Sequence, residues 1–519
     1  MERRGSRAGA SFSLWADKMI QGTEAPLECR GGAAGKTIFV LFLLMTAGGG
    51  FLFLSAPWAD VSYPLDDAWI HMVYARNLVQ GEGLSYNPPQ PEAGFSSPLW
   101  LIVMAGAQLA GEGVMAPKLA GLVFLFLLAW VARRLGGDMA GLIILLDPLL
   151  YFSALSGMEV TLFAFLFLLS IERWIKEKPG LAGLAAAGAL LARPEGALLC
   201  LLLPIFDLFM KNRFAKRLER FALLTIPSLM AAGLWIFFCL HTTGRPFPNP
   251  FYVKAGFMFG HEGQLLLPVI SRLFYDLYAL MADAGLLYPV LAGGLGIIAC
   301  FGLRIRSAWI VLLLSAGLFT GTWLSRPVLR IHAFYWERYF IPVLVGSHIL
   351  AGMAVQGLWR SHSRALRSLA VLAGMAVAGV LCLNMQPVCE RYGLNCRDIA
   401  RFNVAAGRWI QENTPLDSLV AVQDAGAIKY YGKRTTIDLG GLNNQDLVDL
   451  TPLSNRVDIS DPLAVALFEG ADWAVVFQRH FSGNPSYEVK KVLTYDDYSI
   501  YVTPEKFTLL ILKKITQKD

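Results

Sequence analysis

The chain has 519 residues, of which 55% are hydrophobic and 16% charged, with a formal net charge of +6 and a mean hydropathy of +0.49. Such apolarity excludes an ordinary soluble protein, since many apolar runs approach the roughly 20 residues that a helix needs to cross a bilayer. The positive charge is no sign of nucleic-acid binding, because Lys and Arg fall in short clusters between the apolar runs, where they orient a protein in a membrane.

In chain order, a cytoplasmic segment (residues 1–36) precedes the first apolar run, Thr37–Trp58, which no small-residue cleavage site follows and which reads as a retained anchor. Basic clusters at Arg3–Lys36, Arg133 and Arg134, Lys176 and Lys178, Lys211–Arg220, Arg304 and Arg306, and Arg360–Arg367 mark cytoplasmic turns. Spans are expected near 37–57, 115–133, 139–156, 159–175, 180–192, 196–210, 219–241, 285–303, 307–325, 338–358 and 366–385. These make about eleven crossings, starting inside and finishing outside. The fold class expected is thus a polytopic α-helical membrane protein with a transmembrane region over 37–388 and an extracytoplasmic soluble α/β domain over 389–519.

Pro98–Ala110 is apolar but too short to cross, and reads as a helix lying along the outer surface. Residues 58–114 then form one long first outer loop, with helices over Ala68–Gln80 and Pro98–Ala110 joined by the turn-rich Gly81–Pro89. Asp66 and Asp67 open this loop as two adjacent carboxylates at the edge of the bilayer. One can cap the helix that starts at Ala68; the other has no evident structural task, which admits a catalytic pair. Further outer loops run over Gly244–Lys254, with an amphipathic helix near Leu265–Met281, and over Arg326–Tyr339. The short connections Ser156–Glu159 and Ala192–Gly196 fall on the same side, so that outer cations and carboxylates converge.

Beyond about residue 390 short β-like stretches, Ser418–Val422, Trp473–Phe477, Ser499–Val502 and Phe507–Leu512, alternate with helical ones such as Asp398–Glu412. Of the seven cysteines, Cys389 and Cys396 lie just beyond the last span on the oxidising side and are candidates for a short-loop disulfide. No Cys/His spacing resembles a zinc site, and the lack of a phosphate-binding glycine loop argues against an ATP-driven pump.

The segments Leu65–His71, Tyr74–Leu78, Gly83–Pro88 and Gly94–Trp100 match in order and spacing the first outer loop of bacterial GT-C-fold glycosyltransferases of the arabinofuranosyltransferase-like group, which the chain resembles. Ser156–Glu159, Ala192–Gly196, Pro248–Ala255, Glu337–Phe340 and Gln423–Ala427 extend the resemblance over nearly the whole chain. It departs mildly at Trp69 and in the proline-rich Pro88–Pro91. The resemblance implies a polyprenyl-phosphate-linked sugar donor, transferred with inversion to a hydroxyl of a glycan or lipid acceptor outside the plasma (inner) membrane.

Such a transfer needs a general base for the acceptor hydroxyl, and related lipid-sugar transferases imply Asp66, the first acidic residue of the pair. Asp67 would position the acceptor, bind a divalent metal, or cap the helix. No other cofactor is expected. The polyprenyl-phosphate leaving group needs cations, for which Arg193, Lys254, Arg326, Arg330 and Arg338 are the candidates. The competing reading is that outer cations reach up to lipid headgroups. On the helix His71 and Tyr74 share the face of Asp67 and line the same pocket. Arg76, Glu159, Tyr252, His332, Tyr335 and Glu337 complete the substrate-binding candidates, the aromatics competing with an interfacial belt and Glu337 with a plain ion pair to Arg338. The soluble domain would help to bind the acceptor, with Asp424 and the Gly440–Asn444 turn at its edge. The alternative function is a transporter or flippase of lipid-linked sugars, which would place ionisable groups near the bilayer midplane and show an internal repeat.

Overall fold

The computed structural model describes residues 33–111, 113–208, 214–253, 336–339, 341–444, 470–478, 486–498 and 505–515, with single residues and short stretches between 293 and 320 and Ala466. Among these residues five helices are long and apolar enough to cross a membrane: Gly35–Leu54, Met115–Gly136, Ala215–Thr243, Ile341–Trp359 and Arg364–Asn413. A bent pair, Asp138–Leu146 and Pro148–Leu155, meets at 66° and adds a sixth if counted as one span. The chain is an integral membrane protein by these helices. The expected spans at 159–175, 180–192 and 196–210 fall on helices of 16, 14 and 13 residues, Val160–Ile175, Pro179–Ala192 and Gly196–Leu208. At about 1.5 Å per residue these fall short of the roughly 30 Å apolar core. Most of span 285–303 and part of 307–325 lie outside the described residues, as do the helix expected near 265–281, the strand expected at Ser499–Val502, Lys254, Arg326, Arg330, His332 and Tyr335, and the side chain of Glu337.

The break in the bent pair has a local cause. Pro148 cannot continue the hydrogen-bond ladder of the preceding helix, and Asp147 caps the next one by accepting from Leu149 N at 2.7 Å. The other carboxylate oxygen of Asp147 lies 2.5 Å from His348 Nε2, and both side chains are 1% exposed. This pair ties the break to the Ile341–Trp359 helix. In the connection Ser156–Glu159, Gly157 takes a positive φ of 76°, and its carbonyl accepts from Trp100 Nε1 at 2.9 Å.

The two loop helices are present as Asp67–Val79 and Pro98–Leu109, and Gln108 Nε2 of the second donates to Met72 O of the first at 3.1 Å. The Asp67–Val79 helix is buried on nearly all sides, since it is packed between the Pro98–Leu109 helix and the short C-terminal-domain helix Ala427–Gly432. Where the loop begins, fully buried Lys118 donates through Nζ to Ala59 O and Ser62 O, beneath the rings of Tyr63 and Tyr392.

The Arg364–Ile399 helix runs without a break across residue 388 and continues through a π-helical turn, Ala400–Val404, into Ala405–Asn413. This continuity corrects the disulfide expectation, because Cys389 and Cys396 are free thiols on one helix. Seven helical residues separate their Cα atoms by about 10 Å, whereas a disulfide requires about 4.4–6.8 Å.

The C-terminal sheet has the order β2-β1-β3-β5-β4, from β1 (Leu419–Val422), β2 (Thr435–Asp438), β3 (Trp473–Phe477), β4 (Tyr487–Tyr498) and β5 (Glu505–Lys514). β1 runs parallel to β2 and β3, and β5 pairs antiparallel with β3 and β4. Its alternating side chains divide between two cores: Ala421, Ile437, Ala474, Val476 and Leu510 on one face, Val420, Val422, Val475, Leu509 and Ile511 on the face continuous with the main core. The short helix Ala427–Gly432 connects β1 to β2 and packs on the Asp67–Val79 helix, where Trp69 meets Tyr430 and Tyr431 with ring centroids 5.0 and 5.1 Å apart.

Candidate functional site

Asp66 occupies the N-cap position of the Asp67–Val79 helix but makes no capping bond to it. Its carboxylate is turned to the C-terminal domain instead. Oδ1 accepts from Asn403 Nδ2 and Ala427 N, each at 2.9 Å, and Oδ2 accepts from Gly426 N at 2.7 Å. Residue 426 has to be glycine, because a Cβ there would stand 2.2 Å from Asp66 O and 2.7 Å from Oδ2. Asn403 Nδ2 donates also to Asp424 Oδ2 at 2.9 Å, so that one amide joins two carboxylates. Burial raises the Asp66 pKa from the ordinary carboxylate value; the three hydrogen bonds oppose that rise, and the charge of Asp67 adds to it. Burial and then the charge of Asp66 raise Asp424 to about 7.

Asp67 points into a different neighbourhood. Its Oδ2 accepts from Arg338 Nη1 and Nη2, both at 3.1 Å, while its side chain stays 49% exposed. The Arg338 guanidinium lies 5.2 Å from the ring centroid of Tyr339, and that of Arg193 lies 4.7 Å from the same ring. Arg193 is buried and holds two carboxylates: Glu159 Oε1 at 2.7 Å, and Glu195 through Nη2 at 2.9 Å and Nε at 3.2 Å. His71 Nδ1 lies 3.3 Å from Asp67 O. Burial lowers the His71 pKa and favours the neutral ring, against the pull of Glu159 and Asp67. His71 Nε2, Glu159 Oε2 and Arg338 Nε are buried polar atoms with no hydrogen-bond partner among the described residues. Such atoms call for a partner, which water, an ion or a ligand can supply.

Comparison with known proteins places this arrangement in a fold. ArnT from Cupriavidus metallidurans matches in its apo state with a TM-score of 0.58 at 17% identity, over 92% of this chain and 98% of that chain. In the structure bound to undecaprenyl phosphate it matches with 0.59 at 16%, over the same shares. The chain has the GT-C fold. The archaeal oligosaccharyltransferase AglB from Archaeoglobus fulgidus, in complex with an inhibitory peptide and a dolichol-phosphate, also matches, with 0.50 at 11% identity over 84% of this chain and 69% of that chain. Residues 391–508 match the family described as "Domain of unknown function (DUF8728)". No curated protein matches the sequence.

Within this GT-C fold the expected site residues divide into two groups. Asp67, Glu159, Arg193 and Arg338 are joined through ion pairs and the Tyr339 ring, with His71 beside Asp67. Tyr74 and Arg76 are placed elsewhere. Tyr74 OH donates to Asn443 Oδ1 at 3.0 Å and accepts from Gly94 N at 3.1 Å. Arg76 Nη1 donates to Tyr430 O at 2.7 Å. Tyr74 does share a helix face with Asp67, but two turns, about 10 Å, along the axis bring it to a different neighbour. Tyr86 and Asn87 do the same work, with Tyr86 OH on Ala425 O at 2.7 Å and Asn87 bonding Thr436 N and O at 3.0 and 2.8 Å. The Tyr74–Leu78 and Gly83–Pro88 motifs are thus the docking surface for the C-terminal domain.

Tyr252 packs within its own segment against Phe247 and Phe251, with Arg245 over its ring. Asn443, expected at an acceptor edge, is fully buried and bonded to Asp438. Neither aspartate caps the helix as expected: it begins at Asp67 itself, and Asp66 is spent on the other domain. Among the described residues no three His, Cys, Asp or Glu side chains are placed to hold a metal ion, and the partner of Asp67 is a guanidinium. Sequence reasoning missed Asn403 entirely, and read no role into Tyr339 or Gly426 although it quoted the motifs around them.

Proposed function

We propose that this protein is a membrane glycosyltransferase that moves a sugar from a polyprenyl-phosphate-linked donor to a hydroxyl of a glycan or lipid acceptor, at the outer face of the plasma (inner) membrane, with inversion. The observation that carries the reading is the contrast between two adjacent carboxylates, one partly buried against the C-terminal domain and raised in pKa, the other half-exposed and paired with arginine. The undecaprenyl phosphate of ArnT and the dolichol-phosphate of AglB supply the donor chemistry by likeness of fold. The basic clusters in the sequence support an outer site.

Asp66 is the general base. Asp67 is engaged by the Arg338 fork, whereas burial raises the pKa of Asp66 and makes it the better proton acceptor. A carboxylate offers about four lone pairs; those of Asp66 accept three hydrogen bonds among the described residues. The open position on Oδ2 takes the acceptor proton as the hydroxyl oxygen attacks the anomeric carbon. The bond from that carbon to the phosphate oxygen breaks on the opposite face, and its electron pair leaves with the polyprenyl phosphate. Arg338 meets the growing negative charge, with Lys254, Arg326 and Arg330 as further cations from the same side of the membrane. Arg193, already shared by two carboxylates, orders the cluster, while His71 and Glu159 offer Nε2 and Oε2 to sugar hydroxyls.

The test is sugar transfer in isolated membranes. Asp66→Asn is expected to lose at least 100-fold, and Asp67→Asn to weaken donor use while retaining measurable transfer. Full transfer by both variants would end the enzymatic reading. One observation favours a second reading, a flippase of lipid-linked sugars: the Asp147–His348 pair buried inside the helical region. That reading requires Asp147→Asn to block lipid-sugar translocation in vesicles, whereas a transferase loses only stability.

A further inference from the structure

Every hydrogen bond that the Asp66 carboxylate accepts among the described residues comes from beyond residue 400, although Asp66 itself belongs to the first loop. Asn403 reaches it because the long helix widens into a π turn over Ala400–Val404, a distortion that frequently marks functional positions. Asn403 is buried, and its amide spans Asp66 Oδ1 and Asp424 Oδ2 at equal distances of 2.9 Å. Simple docking has no need of this geometry. Two carboxylates brought to one amide repel each other, and an apolar pair would hold the domains together without that cost.

Resting on the reading of Asp66 as the base, we propose that Asn403 and Asp424 are positioning residues for it: the amide aims the Asp66 carboxylate, and Asp424, the second carboxylate on that amide, acts on Asp66 as a like-charged neighbour. The C-terminal domain thereby completes the site on the loop. The other charged and titratable groups facing the pair are Asp67, Asp438 and Tyr86, with Lys429 over the Tyr86 ring, Arg76 on Tyr430 and Arg338 on Asp67. Asp67 raises the pKa of both Asp66 and Asp424, Asp438 raises that of Asp424, and Arg338 is paired with Asp67.

Infrared titration of the full-length, detergent-purified protein with isotope-labelled aspartate tests this without any substrate, the Asp66 band being identified by its loss in Asp66→Asn. Asp424→Asn removes a like charge and is expected to lower the Asp66 midpoint by about one pH unit. Asn403→Ala removes a hydrogen bond to the charged form and is expected to raise it by a similar amount. A merely loosened interface would admit water and lower both. Asp424→Ser replaces Asp424→Asn if the latter is not recovered folded. In membranes that load radiolabelled sugar onto their own polyprenyl-phosphate pool, the acid limb of transfer is expected to follow the midpoint. Unmoved midpoints, or two shifts of the same sign, overturn the proposal even where Asp66→Asn abolishes transfer. Full transfer by Asp66→Asn overturns the base reading instead, whatever the midpoints do.

Discussion

Arg193 and Arg338 lie against the ring of one tyrosine, yet their burdens differ. Arg193 is 4% exposed and holds two carboxylates, the buried Glu159 and the less buried Glu195. Removing one partner of such a set costs about 3–5 kcal/mol. Arg193→Ala is therefore expected to lower the thermal midpoint sharply and reduce recovery from membranes, and a triple variant with Glu159→Gln and Glu195→Gln is expected to restore much of the loss. Among the described residues Arg338 has one carboxylate partner, the half-exposed Asp67, and its buried Nε has none. Arg338→Lys leaves a charge but no fork. It is expected to fold with a nearly unchanged midpoint and to lose roughly 10- to 100-fold in transfer, as loss of one preorganised charge does. Equal effects of the two substitutions on stability would contradict this division.

At the scale of elements, the decisive contact is between the start of the Asp67–Val79 helix and the short Ala427–Gly432 helix. Gly426→Ala introduces a methyl 2.2 Å from Asp66 O and 2.7 Å from its carboxylate, so either the loop or the short helix has to move. The variant is expected to unfold at lower temperature and to lose transfer together, and tryptophan emission from Trp69, packed against the tilted rings of Tyr430 and Tyr431, reports the displacement. Normal activity with an unchanged midpoint would mean that the contact is dispensable. The two loop helices were legible in the sequence because turn residues bracket them, and β1, β3 and β5 because their apolar runs are β-rich. β2 and β4 were not. Thr435–Asp438 is only four residues long, and Tyr487–Tyr498 carries lysines and aspartates on an edge strand that needs little apolar surface. The ionic cluster was legible as a set of outer charges, but the pairing of each charge was not, since it depends on which turns of separate helices meet. Asn403 gave no signal, because a π turn has no distinctive spacing.

On the scale of the whole molecule, the interface between the first loop and the C-terminal domain gathers titratable groups displaced in opposite senses. Burial raises Asp66, raises Asp424 to about 7 and raises Asp438 to about 6. Each therefore binds its proton more tightly in the folded state, and their contribution is full below the ordinary carboxylate range and is lost as pH climbs through about 6 to 7. Lys429 has the reverse sign: burial, then the charge of Arg76, lowers it to about 7, so the folded state binds fewer protons between there and its ordinary value of 10.5. Stability rises with pH across that interval. His71, also lowered by burial, offsets part of the carboxyl loss below its ordinary 6.5. Together these groups give a shallow stability minimum near neutrality. Thermal unfolding of the purified protein at about pH 5, 7 and 9 is expected to show the lowest midpoint at the middle value. Asp438→Asn is expected to flatten the acid side and Lys429→Met the alkaline side. A stability maximum near neutrality would mean that these groups titrate normally and that water reaches the interface, which would also remove the low-dielectric setting in which Asp66 gains its basicity.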